Sequence, residues 1–257
     1  MSVQVPAFWG DTDLENAQLI GLSKQVALRR ELDVVANNLA NINTAGFKRH
    51  EVLFEDYLMP VAEYGARRNV DETLHYVSDR ATIRDFSEGS FEQTGSAYDV
   101  ALQGDGWLVV ETADGPRYTR NGAMTTNASG QLVTHSGDPV AGADGPINIP
   151  NGASSIAIAR DGTISADGNT IGRLRVVKFQ NMADLIADDG TLFRSNATPI
   201  EDTSTTVQQG MLERANVRGV LEISRLIEIT RAYTSLTSAM DRTDKLRQTA
   251  IQTLGQV

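Results

Sequence analysis

The sequence predicts an α+β protein: long N- and C-terminal helices forming a coiled-coil-like pair, an extended connector, and a central antiparallel β-rich domain. Three observations predict it. Apolar residues at both ends recur every three or four positions, as on a helix that packs against another helix. Eight Asp-Gly or Asn-Gly pairs, which favour tight hairpins, separate short β-type runs in the middle. The net charge of −10 falls entirely on residues 51–200, so two neutral ends flank an acidic centre.

The first segment, residues 1–46, is predicted to be helical from Asp13 to about Asn43, where it has no proline and a single glycine. Asp11, Thr12 or Asp13 can cap its start, and Gly46 can take the left-handed conformation that follows a helix. The apolar spacing of 4, 3, 4 and 3 runs through Leu28, Leu32, Val35, Leu39 and Ile42. Asn38 and Asn43 flank this seam, where their amides would fix the register between helices.

Residues 47–90 mix helical and β character and are predicted to be an extended connector. Residues 91–200 are predicted to form the β-rich outer domain, with strands near residues 107–111, 131–134, 147–149, 155–159 and 173–179. The last run alternates, with Leu174 and Val176 on one face and Val177 and Phe179 on the other.

The final segment, residues 201–257, repeats the helical pattern of the first. Its spacing of 3, 4, 3 and 4 runs through Leu226, Ile229, Tyr233, Leu236 and Met240. Helices of about 30–45 residues span roughly 45–65 Å, longer than a small domain is wide. We therefore expect the two helices to pack on each other and then on other subunits. Closure of an intramolecular bundle remains an alternative on periodicity alone.

Composition excludes several classes of chemistry. Without cysteine there is no disulfide, thiolate metal site or cysteine nucleophile. The negative charge argues against nucleic acid and anionic membranes as partners. His50, His75 and His135 lack metal-ligand spacing, and the Asp-Gly pairs lack the spacing of a calcium loop. We predict no catalytic, cofactor-binding or metal-binding residues and no enzymatic activity, although sequence leaves a chance Asp/Glu pair open.

The N-terminus lacks the basic and apolar regions of a signal peptide, and no run is apolar enough for a membrane span. We therefore expect a protein that is cytosolic or that is exported without a cleaved leader.

Residues 36–49, ANNLANINTAGFKR, form the most specific motif, because four asparagines in seven positions are unusual in a helix. The stretch resembles the N-terminal signature of the flagellar axial proteins, the rod and hook components of the bacterial flagellum. Residues 210–217, GMLERANV, and Arg231-Ala232-Tyr233 resemble the C-terminal segments of that family, with Ala215 and Thr234 as departures. The signature positions are Ala36, Asn37, Asn38, Leu39, Ala40, Asn41, Asn43, Thr44, Gly46, Phe47 and Lys48.

This resemblance implies a structural subunit, most similar to the proximal-rod type, whose copies stack helically into a hollow periplasmic rod. It implies copies of itself, other rod proteins and the flagellar export apparatus as partners, with no cofactor, nucleic acid or small-molecule substrate. Leu28, Leu32, Val35, Asn38, Leu39, Ile42, Asn43, Leu226, Ile229, Tyr233, Leu236 and Met240 would then lie at subunit interfaces. A distal-rod or other axial component, or a stand-alone β-rich binding module, remains an alternative.

Overall fold

A computed structural model describes residues 11–60 and 73–254, and these divide into two compact units. Of the described residues, the helical unit comprises 11–39, 50–60, 73–84 and 219–254. The β unit comprises Ala40–Arg49 and Asp85–Arg218. Each unit is therefore built from segments that are distant in sequence, and each is described by itself below.

The helical unit contains two long helices and one hairpin. Helix α1 spans Asp11–Ala40, and its last residue, Ala40, is counted in the β unit. Helix α2 spans Gly219–Leu254. At about 1.5 Å per residue, α1 is about 45 Å long and α2 about 54 Å. Strands β1, His50–Pro60, and β2, Thr73–Arg84, pair antiparallel from His50↔Arg84 to Pro60↔Thr73. Over the described residues, neither helix has a stretch long and apolar enough to cross a membrane.

The β unit is built from short strands that pair antiparallel. They are β3 Phe91–Gln93, β4 Val100–Gln103, β5 Trp107–Thr112, β6 Gly115–Thr119, β7 Met124–Thr126, β8 Leu132–Thr134, β9 Ala141–Gly142, β10 Gly145–Pro146, β11 Ile156–Ile158, β12 Thr163–Ala166, β13 Asn169–Arg173, β14 Val176–Lys178, β15 Leu185–Ala187, β16 Leu192–Ser195, β17 Ile200–Glu201, β18 Thr206–Gln209 and β19 Met211–Glu213. The largest sheet has six strands in the order β15-β16-β6-β5-β14-β17. A short 3-10 helix, Met182–Asp184, precedes β15.

The predicted alternation around β14 divides its residues between two apolar clusters. Leu174 and Val176 are buried in a cluster with Leu108, Leu132 and other aliphatic side chains. Val177 and Phe179 are buried in a second, aromatic-rich cluster. Trp107 is fully buried there, with its ring 5.1 Å from that of Phe193 in an edge-to-face arrangement. The two faces of β14 thus build both cores.

The Asp-Gly pairs act as hairpin turns at several positions. Between β12 and β13, Asp167 and Gly168 both have positive φ, 49° and 83°, and they link the paired residues Ala166 and Asn169. Positive φ at both central residues is the geometry of a type I′ turn, which suits the twist of the flanking strands.

Four regions differ from the sequence-based expectation. The expected connector, residues 47–90, contains the β1–β2 hairpin. The expected C-terminal segment, 201–257, contains β18 and β19 before α2 begins at Gly219. Residues 147–149 contribute one isolated bridge, Gln131↔Asn148, in place of a strand. Helix α1 ends at Ala40, three residues before Asn43.

Candidate assembly site

Side chains of α1 and α2 meet in antiparallel order. Near the N-terminus of α1, Gln18 donates a hydrogen bond to Asp244 at 2.6 Å. Further along α1, Gln25 donates to the Tyr233 hydroxyl at 3.1 Å. Toward its C-terminus, the Arg225 guanidinium lies 2.9 Å from the Glu31 carboxylate. The two helices therefore run side by side in opposite directions over most of their length.

On α1, the five predicted interface residues lie on the side of the helix that is shielded within the chain. Val35 and Asn38 are 2% and 1% exposed, and Leu28, Leu32 and Leu39 are partly buried. Gly21 continues this side, and a Cβ there would lie 3.2 Å from Met240 Sδ. Such a short distance indicates that glycine permits close approach of the two helices at this level.

On α2, the five predicted residues are shielded to a similar degree. Ile229 is 4% exposed, and Leu226, Tyr233, Leu236 and Met240 are partly buried. The same spacing continues to Thr243 and Arg247, which are also partly buried although the neighbouring positions are exposed. The shielded face of α2 thus follows a 3-4 repeat, as expected for a helix with one narrow packing stripe.

Asn38 joins three parts of the helical unit. Its amide Nδ2 donates to the His50 carbonyl at 2.9 Å, and its Oδ1 accepts from the His50 N–H at 2.8 Å. The same Nδ2 lies 3.4 Å from Glu222 Oε2 of α2. This buried amide therefore fixes the start of β1 relative to α1 and contacts α2.

His50 is held in its neutral form. Burial is the main reason that the pKa of His50 is lowered to about 4, and the nearby positive charge of Arg84 lowers it further. Its Nε2 can then accept the hydrogen bond from Arg84 Nε at 3.1 Å, which a protonated imidazole cannot do. The base of the hairpin is thus fixed by the neutral ring and by Asn38.

Ile42 and Asn43, also predicted at the interface, lie beyond the end of α1. Thr44 donates its backbone N–H to the Asn41 carbonyl and its hydroxyl to Asn41 Oδ1, which forms a turn in place of further helix. Ile42 packs in the β unit against a small cluster of Phe47, Ala215 and Val217. The Asn43 side chain is exposed, as are those of the signature residues Ala36, Asn37 and Ala40.

The two signature segments meet inside the β unit, in an arrangement that we name the signature clasp. It comprises residues 46–49, 85–90 and 213–217 together with Arg120. Gly46 N–H donates to the Glu213 carbonyl at 2.7 Å, and Arg49 N–H donates to Asn216 Oδ1 at 2.7 Å. Asp85 N–H donates to the Arg49 carbonyl at 2.9 Å, and Asn216 Nδ2 donates to the Asp85 carbonyl at 2.8 Å. These bonds fix the residues that follow α1 and those that precede α2.

Buried charges lie at the centre of the clasp. Lys48 Nζ is 2.7 Å from Glu213 Oε1, and the two side chains are 0% and 1% exposed. The same oxygen accepts the Gly89 N–H at 2.9 Å, and Arg120 Nη1 lies 3.6 Å from Glu213 Oε2. Burial lowers the pKa of Lys48, and the Glu213 carboxylate opposes that shift. The carboxylate therefore neutralises two buried cations.

Arg120 is further fixed by the main chain and by an aromatic ring. Its two terminal nitrogens donate to the carbonyls of Leu102, at 3.3 Å, and Gly104, at 2.5 Å. Its guanidinium carbon lies 5.3 Å from the centre of the Trp107 ring, within range of a cation–π interaction. The clasp is thus connected to the core of the largest sheet.

Family models match both helical ends and the β region. Residues 20–48 match the model described as flagella basal body rod protein. Residues 208–253 match the flagellar basal body rod FlgEFG protein C-terminal model, and residues 101–166 match the flagellar hook protein FlgE/F/G D1 domain. The chain is also 38% identical to the flagellar basal-body rod protein FlgF of Caulobacter vibrioides, over 95% of this chain and 100% of that protein. The chain belongs to the flagellar basal-body rod protein family.

Other rod proteins match over comparable lengths. FlgF of Rhizobium meliloti is 34% identical, over 94% of this chain and 99% of its own length. FlgG of Buchnera aphidicola (subsp. Acyrthosiphon pisum) is 31% identical, over 95% of this chain and 98% of its own length. The family resemblance inferred from the two signature segments is confirmed, and the relatives at 38% and 34% identity are both FlgF proteins.

The sequence did not predict three features of the signature clasp. These are the contact of Gly89, the contact of Arg120, and the pairing of Glu213 with Lys48. Arg120 and Glu213 are each distant in sequence from Lys48, so no local spacing connects them. One signal was present, because Lys48 and Glu213 are opposite charges beside apolar residues in the two signature segments. Charged side chains among apolar residues are commonly buried only when they form an ion pair with an opposite charge.

Proposed function

We propose that the chain is a structural subunit of the bacterial flagellar basal body, in the proximal part of the periplasmic rod. Copies stack helically through the terminal helices, which form a coiled-coil-like pair, and the β unit stays on the outside. The observation that carries this proposal is the match of both helical ends to rod-family models in one chain. The partners are copies of this chain and other rod proteins.

The physical character of the helices supports this role. Each helix has a narrow shielded stripe, and isolated helices with such stripes depend on packing for their stability. Helices of about 45 and 54 Å that are loosely held in a free subunit can unfold for passage through the flagellar export apparatus and regain order on assembly. Heterologous, non-closing contacts between copies then give a helical rod.

Leu236→Asp tests the helix seam. We expect it to abolish motility and rod assembly, because a carboxylate loses hydration in the partly buried seam, at a cost on the order of a few kcal/mol. The measurement is swimming in soft agar, together with recovery of the variant in isolated basal bodies, in a flagellated bacterium that lacks its own copy of the corresponding gene.

Ile186→Asp is the matched control. Ile186 lies on β15 and is 42% exposed, so the same kind of substitution there is expected to leave motility intact. Near-ultraviolet circular dichroism verifies that the β unit of both variants is folded. Normal swimming with Leu236→Asp would contradict the proposed role of the seam.

A further inference from the structure

Each long helix carries a second apolar stripe on its exposed side. On α1 the outer stripe consists of Leu19, Leu22 and Val26, which are 51%, 51% and 60% exposed. On α2 it consists of Val220, Ile223 and Ile227, which are 79%, 46% and 47% exposed. Within each stripe the residues are three and four positions apart, so they lie on one side of the helix. At about 100° per residue, both stripes lie roughly 130° around the helix from the shielded seam.

The two outer stripes lie at different levels of the antiparallel pair. Gly21, next to the α1 stripe, lies beside Met240, whereas Glu222, next to the α2 stripe, lies beside Asn38. The levels of residues 22 and 38 on α1 differ by 16 positions, which is about 24 Å at 1.5 Å per residue. The stripes of one copy are therefore too far apart to contact each other.

We propose that the α1 outer stripe of one copy binds the α2 outer stripe of a second copy of this chain. This inference rests on the proposed function, because it names the surfaces through which copies stack. The second copy is displaced along the helices by about 24 Å, the offset between the two stripes. In the antiparallel alignment Leu22 meets Ile223 and Val26 meets Val220. Since the two surfaces differ, the contact is heterologous and repeats without closing, as a filament requires.

The size of the stripes favours a repeating contact over a discrete dimer. Each stripe exposes an apolar area on the order of a few hundred Å². A stable pair of proteins buries about 800 Å² on each partner, so one such contact is too small to hold two free copies together. Two contacts for each copy, added to the lateral contacts of a rod, supply the missing area. Because the α1 and α2 stripes each have three residues with the same spacing, the occupant that fits is the α2 stripe of a second copy within the assembly.

Cysteine cross-linking tests this pairing, because the chain has no cysteine of its own that could form a competing disulfide. The double variant Leu22→Cys/Ile223→Cys is produced in the flagellated strain described above, and isolated basal bodies are oxidised and separated without reductant. We expect a ladder of dimers, trimers and longer chains. A disulfide needs Cα atoms about 4.4–6.8 Å apart, so the 24 Å offset prevents a bond within one copy.

Each single variant, Leu22→Cys or Ile223→Cys, is the control and is expected to stay monomeric. The double variant Val26→Cys/Val220→Cys repeats the test one turn away if the first pair impairs assembly. Rods that assemble but give no ladder with either pair would overturn the stripe pairing and leave the proposed function standing. Dimers from a single variant would also overturn it, since they indicate a like-with-like contact or a different rod partner. Absence of the wild-type chain from isolated basal bodies would instead contradict the proposed function.

Discussion

Replacing Glu213 with glutamine is expected to lower the free energy of unfolding of the β unit by about 3–5 kcal/mol. The substitution keeps the shape of the side chain and removes the charge that neutralises Lys48 and Arg120. The side chains of Lys48 and Arg120 are buried, at 0% and 2% exposure, so they cannot recover the lost interaction from water. Urea unfolding monitored by Trp107 fluorescence measures the decrease in the free energy of unfolding. A Trp9→Phe substitution in both proteins leaves Trp107 as the only tryptophan that contributes to the signal.

Glu92→Gln makes the same chemical change in an exposed ion pair of the same β unit. Glu92 Oε2 lies 3.4 Å from Arg214 Nε, and the two side chains are 57% and 49% exposed. Exposed pairs contribute about 0–1 kcal/mol, so this variant is expected to unfold almost as the wild type does. Equal effects of the two substitutions would contradict the assignment of the buried charges as the centre of the clasp.

Replacing Gly46 with alanine is expected to destabilise the β unit by at least about 3 kcal/mol. Gly46 has a φ of +68°, which is unfavourable for alanine. A Cβ there would also clash with the Asn121 backbone nitrogen and lie 2.5 Å from the Arg120 carbonyl carbon. Because both atoms belong to the main chain, the clash is relieved only if residues 46–49 move away from the β6–β7 loop.

Gly95→Ala isolates the effect of the clash. Gly95 has a φ of +77°, and a Cβ added there would have no neighbouring atom within 4 Å. Alanine at this position therefore meets only the conformational cost of about 1–2 kcal/mol. The difference between the two variants, measured by thermal unfolding of the full chain, reports the close approach at Gly46. A Gly46→Ala variant no less stable than Gly95→Ala would show that the signature glycine serves another purpose.

Local patterns predicted the parts of the fold that local physics controls. The 3-4 spacing of Leu226 to Met240 predicted the shielded face of α2, since packing on one side imposes that period on a helix. The Asp167-Gly168 pair predicted a tight turn because few other residues adopt positive φ at two successive positions.

Other parts depend on contacts that sequence spacing does not encode. Ile42 continues the apolar repeat of α1, yet the turn bonds of Asn41 and Thr44 end the helix and leave Ile42 with Phe47 in the β unit. The β1–β2 hairpin was missed because its strands lack clean alternation, as in the run HEVLFEDYLMP. The pairing of Lys48 with Glu213 joins residues 165 positions apart.

Amide hydrogen exchange, compared between the purified monomer and rods in isolated basal bodies, tests most directly whether the terminal helices are the assembly segments. We predict fast exchange in residues 11–40 and 219–254 of the monomer, strong protection of both segments in the rod, and protection of residues 100–110 in both states. Helices that are equally protected in the free monomer and in the rod would contradict the account.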